Sequence, residues 1–168
     1  ALRSWLGIMT ARGRGGIQKD SDAARRLVER ASPYFRERAM RGDAEAQNSL
    51  GLCYETGAGV GKDEREAVRL YRLAADQGNA SAQYSLGVCY ANGTGVDKDE
   101  SEAVRLYQLA ADQGHAKAQY HLGMCFNDGI GVAKDESEAV RRCRLATEQG
   151  CAEAQYTLGA YYAYGIRV

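Results

Sequence analysis

The stretch "AEAQNSLGLCYETGAGVGKDEREAVRLYRLAADQGN", residues 44–79, decides how this chain is read, because a near copy of it follows at once. "ASAQYSLGVCYANGTGVDKDESEAVRLYQLAADQGH" (80–115) matches it at 26 of 36 positions. A third copy, "AKAQYHLGMCFNDGIGVAKDESEAVRRCRLATEQGC", fills 116–151, and "AEAQYTLGAYYAYGIRV" (152–168) repeats the first half. A fixed period of about 20 to 50 residues marks a stacked architecture, in which each unit buries its apolar face only against its neighbours.

Each copy reads as a helical hairpin. In the second copy Ala82, Leu86, Cys89 and Tyr90 recur at helical spacing with Gly87 on the same side, which predicts a helix over 80–92 able to pack closely. The second half opens at Asp99, placed to cap the first-turn N–H groups, with Glu102 expected to reach back to the cap residue; Asp63/Glu66 and Asp135/Glu138 repeat the device. Ala103, Leu106, Tyr107 and Ala110 supply the buried face, and Gly114 ends the helix in the left-handed position.

The pattern A-x-A-Q-Y-x-L-G-x-x-Y-x-x-G-x-G-V-x-K-D, then E-A-V-x-x-Y-x-x-A-A-x-Q-G, resembles the Sel-one-like repeat family, a relative of the tetratricopeptide repeats. The resemblance covers residues 44–168. It implies an all-α fold, a right-handed α-solenoid of antiparallel helix pairs, acting as a protein-binding adaptor. The expected organisation is one continuous domain: repeats at 44–79, 80–115 and 116–151, and the first half of a fourth at 152–168. Residues 1–43 form a degenerate N-terminal capping repeat plus an extra helix. There "LGIMTARGRGGIQKDSDAARRLVERA" (6–31) is a worn copy, and "SPYFRERAMRGD" offers Ser32 as a cap, Pro33 at a first helical position and Gly42 as a stop. Arg167 replaces the second loop glycine of the last copy, and Tyr161, Tyr162 and Tyr164 lack a visible covering helix.

Charge excludes a global attraction to nucleic acid: 22 Lys plus Arg balance 22 Asp plus Glu. Residues 1–43 nevertheless hold ten basic against five acidic side chains, a basic edge for an acidic partner. No apolar run is long enough to span a bilayer, so direct membrane insertion is not expected. The first residue is Ala1, which fits either a processed organellar subunit or an excised fragment.

Cys53, Cys89, Cys125, Cys143 and Cys151 are odd in number and contain no CxxC pair, which points to a reducing compartment, cytoplasm or organelle interior. Cys53, Cys89 and Cys125 form one column of small buried side chains. Cys143 stands where Tyr71 and Tyr107 stand, so a neighbour must fill the space. Cys151 is expected to be the most exposed thiol.

The Gly-x-Gly pairs Gly57/Gly59, Gly93/Gly95 and Gly129/Gly131 fall between helices, without the strand that a phosphate-binding loop requires, and read as hairpin turns. His121 and Cys125 stand four apart but lack further ligands, and the repeated carboxylates are caps. No catalytic, metal or cofactor site is expected.

What remains is a surface. With the first helices lining a concave wall, Tyr84, Val88, Ala91, Asn92, Lys117, Tyr120, Met124, Asn127, Asp128 and Tyr156 are the candidate partner-binding residues. Their columns vary between copies while packing positions do not. Tyr84, Tyr120 and Tyr156 form a ladder suited either to holding a peptide or to lateral packing. The expected function is a non-catalytic scaffold for protein partners. The alternative is a structural or linker subunit of a large membrane-associated complex, organellar in one version, docked through its basic N-terminal region and tyrosine-rich C-terminal end.

Overall fold

The structure, a computed structural model, describes residues 33–163. Among these there are eight helices and no strand. Helix α1 covers 33–40. It is followed by α2 (Ala44–Thr56), α3 (Glu64–Asp76), α4 (Ala80–Asn92), α5 (Glu100–Asp112), α6 (Ala116–Asp128), α7 (Glu136–Glu148) and α8 (Ala152–Ala163). Each helix packs mainly on its sequence neighbours, α2 on α3, α3 on α4 and onward to α8, so the array is an all-α solenoid.

The caps explain the helix limits. Asp43, Asn79 and His115 open the first helices, their side chains accepting from the N–H of Ala46, Ala82 and Ala118. Asp63, Asp99 and Asp135 open the second helices by accepting from the N–H of Glu66, Glu102 and Glu138. The reciprocal half of the expected capping box is absent. The cap N–H of Asp63, Asp99 and Asp135 already donates to the carbonyl of Tyr54, Tyr90 and Phe126, which ties the turn shut. Glu66, Glu102 and Glu138 turn instead to the guanidinium groups of Arg69, Arg105 and Arg141, one helical turn on. Gly114 has φ of 81° and ends α5, with His115 N–H donating to Ala110 O.

A glutamine clasp joins three consecutive helices. Gln83, buried in α4, donates to the carbonyl of Ala75 at the end of α3 and accepts from Gln113 beyond the end of α5. Gln119 does the same with Ala111 and Gln149, and Gln47 with Ala39 and Gln77. A buried amide with both ends satisfied adds hydrogen bonds without an orphaned polar group. Ala39 belongs to α1, whose buried Phe35 and Ala39 pack against Ala46, Leu50 and Cys53. Phe35 and Ala39 precede Tyr71 and Ala75 by one period, so the helix expected as an addition stands where a second helix stands in later repeats. Ser32 and the worn copy at 6–31 lie outside the described residues.

The loop glycines set the distance between repeats. A Cβ on Gly95 would stand 2.5 Å from the carbonyl carbon of Glu64, at the first turn of α3, and one on Gly131 would stand 2.6 Å from that of Glu100. These two hairpin turns therefore rest directly on the backbone of the hairpin before, a close approach that only glycine allows.

The space left by Cys143 is filled. Tyr161 of α8 is buried in one cluster with Val140 and Cys143, and its hydroxyl donates to Asn127 Oδ1 at 3.1 Å. Tyr161 stands one period after Cys125, so a tyrosine has moved into the cysteine column where a cysteine has moved into the tyrosine column.

Candidate partner-binding surface

Helices α4, α6 and α8 carry the ten candidate residues of the first-helix face. Asn92, Lys117, Asp128 and Tyr156 are exposed, Tyr156 at 83%. Val88, Ala91 and Tyr84 are half-buried and pack against the cluster of Ala103, Tyr107 and Leu122, so only part of each faces solvent. Met124, Tyr120 and Asn127 are half-buried as well. Asn127 donates its amide to Asp128 at 2.7 Å while accepting from Tyr161, which fixes both of its polar ends.

The tyrosine ladder does lateral work. Tyr84 Oη lies 3.1 Å from His121 Nε2, and Tyr120 Oη accepts from Thr157 Oγ1 at 3.4 Å. Each hydroxyl thus crosses to the next first helix, and Tyr156 is the exposed member of the column. The Tyr84 ring also stacks on His115 with centroids 4.9 Å apart. Neither imidazole interaction was legible from spacing, because His115 reaches Tyr84 from the cap of α6 and His121 from the face of α6, another helix than that of Tyr84.

The thiols differ from expectation in rank. Cys151 is 7% exposed and Cys125 is the half-buried one. Cys151 takes the place before α8 that Asn79 and His115 take as caps, and it packs with Ala146 and Ala154. Burial pushes the thiol of Cys89 up to about 12 and those of Cys125 and Cys143 up to about 11, so all three stay protonated at neutral pH. Among the described residues no group of three or more His, Cys, Asp or Glu side chains is placed to hold a metal ion. No described helix is long and apolar enough to cross a membrane.

The profile of the Sel1 repeat matches residues 4–32, 44–79, 80–115, 116–151 and 152–168. The chain belongs to the Sel1 repeat family. No curated protein matches it. Among solved structures, a Sel1 repeat protein from Oxalobacter formigenes is 38% identical with a TM-score of 0.77, over 82% of this chain and 55% of that one. The chain thus spans about half the length of that relative. Immunity protein Pa5087 from Pseudomonas aeruginosa is 25% identical with a TM-score of 0.59, over 89% of this chain and 61% of that one. Helicobacter pylori cysteine rich protein B, 22% identical with a TM-score of 0.63, covers 80% of this chain and 96% of its own, and shares the fold. The Sel1 match at 4–32 takes in the worn first copy, so the repeat extends toward the N-terminus beyond the four copies read at 44–168.

Proposed function

We propose that this Sel1 repeat chain is a non-catalytic scaffold that holds a protein partner along its first helices. Sel1 repeat proteins mediate protein–protein interaction. One observation carries the finer reading: the second-helix caps, the clasp glutamines and the hairpin glycines repeat from copy to copy, whereas Asn92, Lys117 and Asp128 are solvent-facing and vary, with Thr56 and Ser81 one period before Asn92 and Lys117, and Asp128 one period after Asn92. A surface that varies where packing places no demand is suited to a ligand that does not repeat. Tyr84, Val88, Ala91, Tyr120, Met124 and Asn127 supply its floor, with compact aromatic and apolar area at low entropic cost.

A photo-crosslinking residue at Asn92 or Asp128 tests this against the same probe at exposed Arg144 on α7 in native extract. Capture of one partner from both first-helix positions and none from Arg144 supports the reading. Equal capture from Arg144 overturns it.

A second reading, docking as a structural subunit of a larger assembly, rests on α8, where Tyr156 and Tyr162 are 83% and 56% exposed. Fixed-stoichiometry copurification with crosslinks confined to Tyr162 would favour this end over the first-helix face.

A further inference from the structure

His115 closes the second repeat as the cap of α6, His121 lies in the third, and both converge on Tyr84 of the second. His115 caps α6: its Nδ1 accepts the N–H of Ala118 at 3.2 Å, the role that side-chain oxygens of Asp43 and Asn79 fill in earlier repeats. Those oxygens can accept at any ordinary pH. An imidazole nitrogen accepts only while it lacks a proton. His121 stands where Ser85 and Thr157 stand in neighbouring copies, its Nε2 at 3.1 Å from Tyr84 Oη and its ring 5.5 Å from those of Tyr107 and Tyr120. Both imidazoles are half-buried in this aromatic seam between the second and third repeats.

We propose that His115 and His121 form an acid-operated release at this junction: proton uptake removes the His115 acceptor that caps α6 and places charge on two half-buried imidazoles packed among aromatic rings. The reading is independent of any partner.

The surrounding charges favour the neutral, closed form at neutral pH. Burial, and then the ammonium of Lys117 on α6, hold both histidines below the usual 6.5; His121 also adds to the shift of His115, while a backbone hydrogen bond opposes it on His115 and Glu153 on α8 opposes it on His121. The other titratable groups of the seam are Tyr84, Tyr107, Tyr120 and Cys151; burial first raises Tyr84 to about 12, and it also raises Tyr107 and Cys151. A base whose folded pKa is depressed gives stability that is complete above 6.5 and declines as the pH falls from there through the lower folded value. The unfolded or opened seam takes up protons that the closed one refuses.

Hydrogen exchange on the full 168-residue chain tests the release, corrected for the intrinsic pH dependence of exchange. The protection of Ala118 and Gln119, in the first turn of α6, is compared with that of Ala82 and Gln83 in the first turn of α4, whose Asn79 cap does not titrate. Between about pH 7.5 and about pH 5, which spans the ordinary histidine range, α6 should lose protection relative to α4 by about five-fold, the size expected for loss of a helix N-cap. The doubly substituted His115→Asn/His121→Ser chain, which installs the side chains found one repeat earlier, should abolish the difference. Equal behaviour of α4 and α6 in the unsubstituted chain, or a difference that persists in the variant, would overturn the proposal. The internal comparison stands even if the variant fails to fold.

Discussion

Cys143 and Tyr161 share one buried cluster and exchange the parts that tyrosine and cysteine play at earlier junctions. Tyr71 from α3 lies in one cluster with Cys89 from α4, and Tyr107 from α5 packs with Cys125 from α6. At the next junction the thiol comes from α7 and the ring from α8. The volume of the seam is kept while its source moves across it, as close packing requires. The hydroxyl of the relocated ring still finds the same column: Tyr71 donates to Glu55 at 2.6 Å, and Tyr161 to Asn127, two periods later.

This exchange predicts strong coupling. Cys143→Tyr should destabilise by about 1–3 kcal/mol through overpacking, and Tyr161→Cys by roughly 3 kcal/mol through the void it leaves. The double exchange should recover at least about 1 kcal/mol of the summed loss. Urea unfolding of the four chains measures it, and additive losses would refute the exchange.

The glutamine clasp predicts that Gln83→Ala costs about 1–2 kcal/mol, because it removes two hydrogen bonds at once, one to the Ala75 carbonyl, which still accepts from Gly78 N–H, and one from Gln113. Gln113→Ala, at an exposed position, should cost clearly less. Chemical denaturation compares the two.

Spacing between hairpins predicts an order among glycine substitutions. Gly78 and Gly95 have φ of 83° and 68°, so alanine is strained at both, by about 1–2 kcal/mol. A Cβ at Gly78 meets nothing, whereas one at Gly95 collides with the backbone of Glu64. Gly95→Ala should therefore lower the melting temperature markedly more than Gly78→Ala; equal shifts would contradict the direct contact.

Arg142 is buried where Leu70 and Leu106 stand in earlier repeats, donating to Glu138 at 2.6 Å and to Gln108 at 3.2 Å. Hydrogen bonds from Arg141 and then Arg142 hold the Glu138 carboxyl at about 2. Its contribution is thus present above its ordinary 4.5 and is lost as the pH falls through about 2. Glu138→Gln should destabilise the chain near neutral pH and flatten the acid limb of the stability curve over that window. Arg142→Leu, restoring the residue of the other repeats, should be within about 1 kcal/mol of neutral or stabilising, since a buried ion pair often gains little over a packed apolar side chain.

The period, the two helices of each repeat, the cap residues and the hairpin turns were legible in the chain because they depend on side chains close in sequence. The exposed candidates Asn92, Lys117 and Asp128 were legible too, as positions that packing leaves free. What misled was competition for the same atoms: Glu102 was expected at the cap N–H, but the Tyr90 carbonyl takes that proton and Arg105 takes the carboxylate. Cys151 was expected outside, yet the packing of Ala146 and Ala154 encloses it.

Sequence by itself determined that this chain is a stack of Sel1 hairpins, since a hairpin with one apolar face has no stable alternative to a neighbour of its own kind. Only the tertiary structure decided how the copies are held apart and tied together. The Gly95 contact with Glu64, the Gln83 clasp across three helices, the return of Tyr161 to the place of Cys143 and the meeting of His115 and His121 on Tyr84 all join residues on separate helices. Their distances follow from how one repeat rests on the next, a geometry that no single repeat encodes alone.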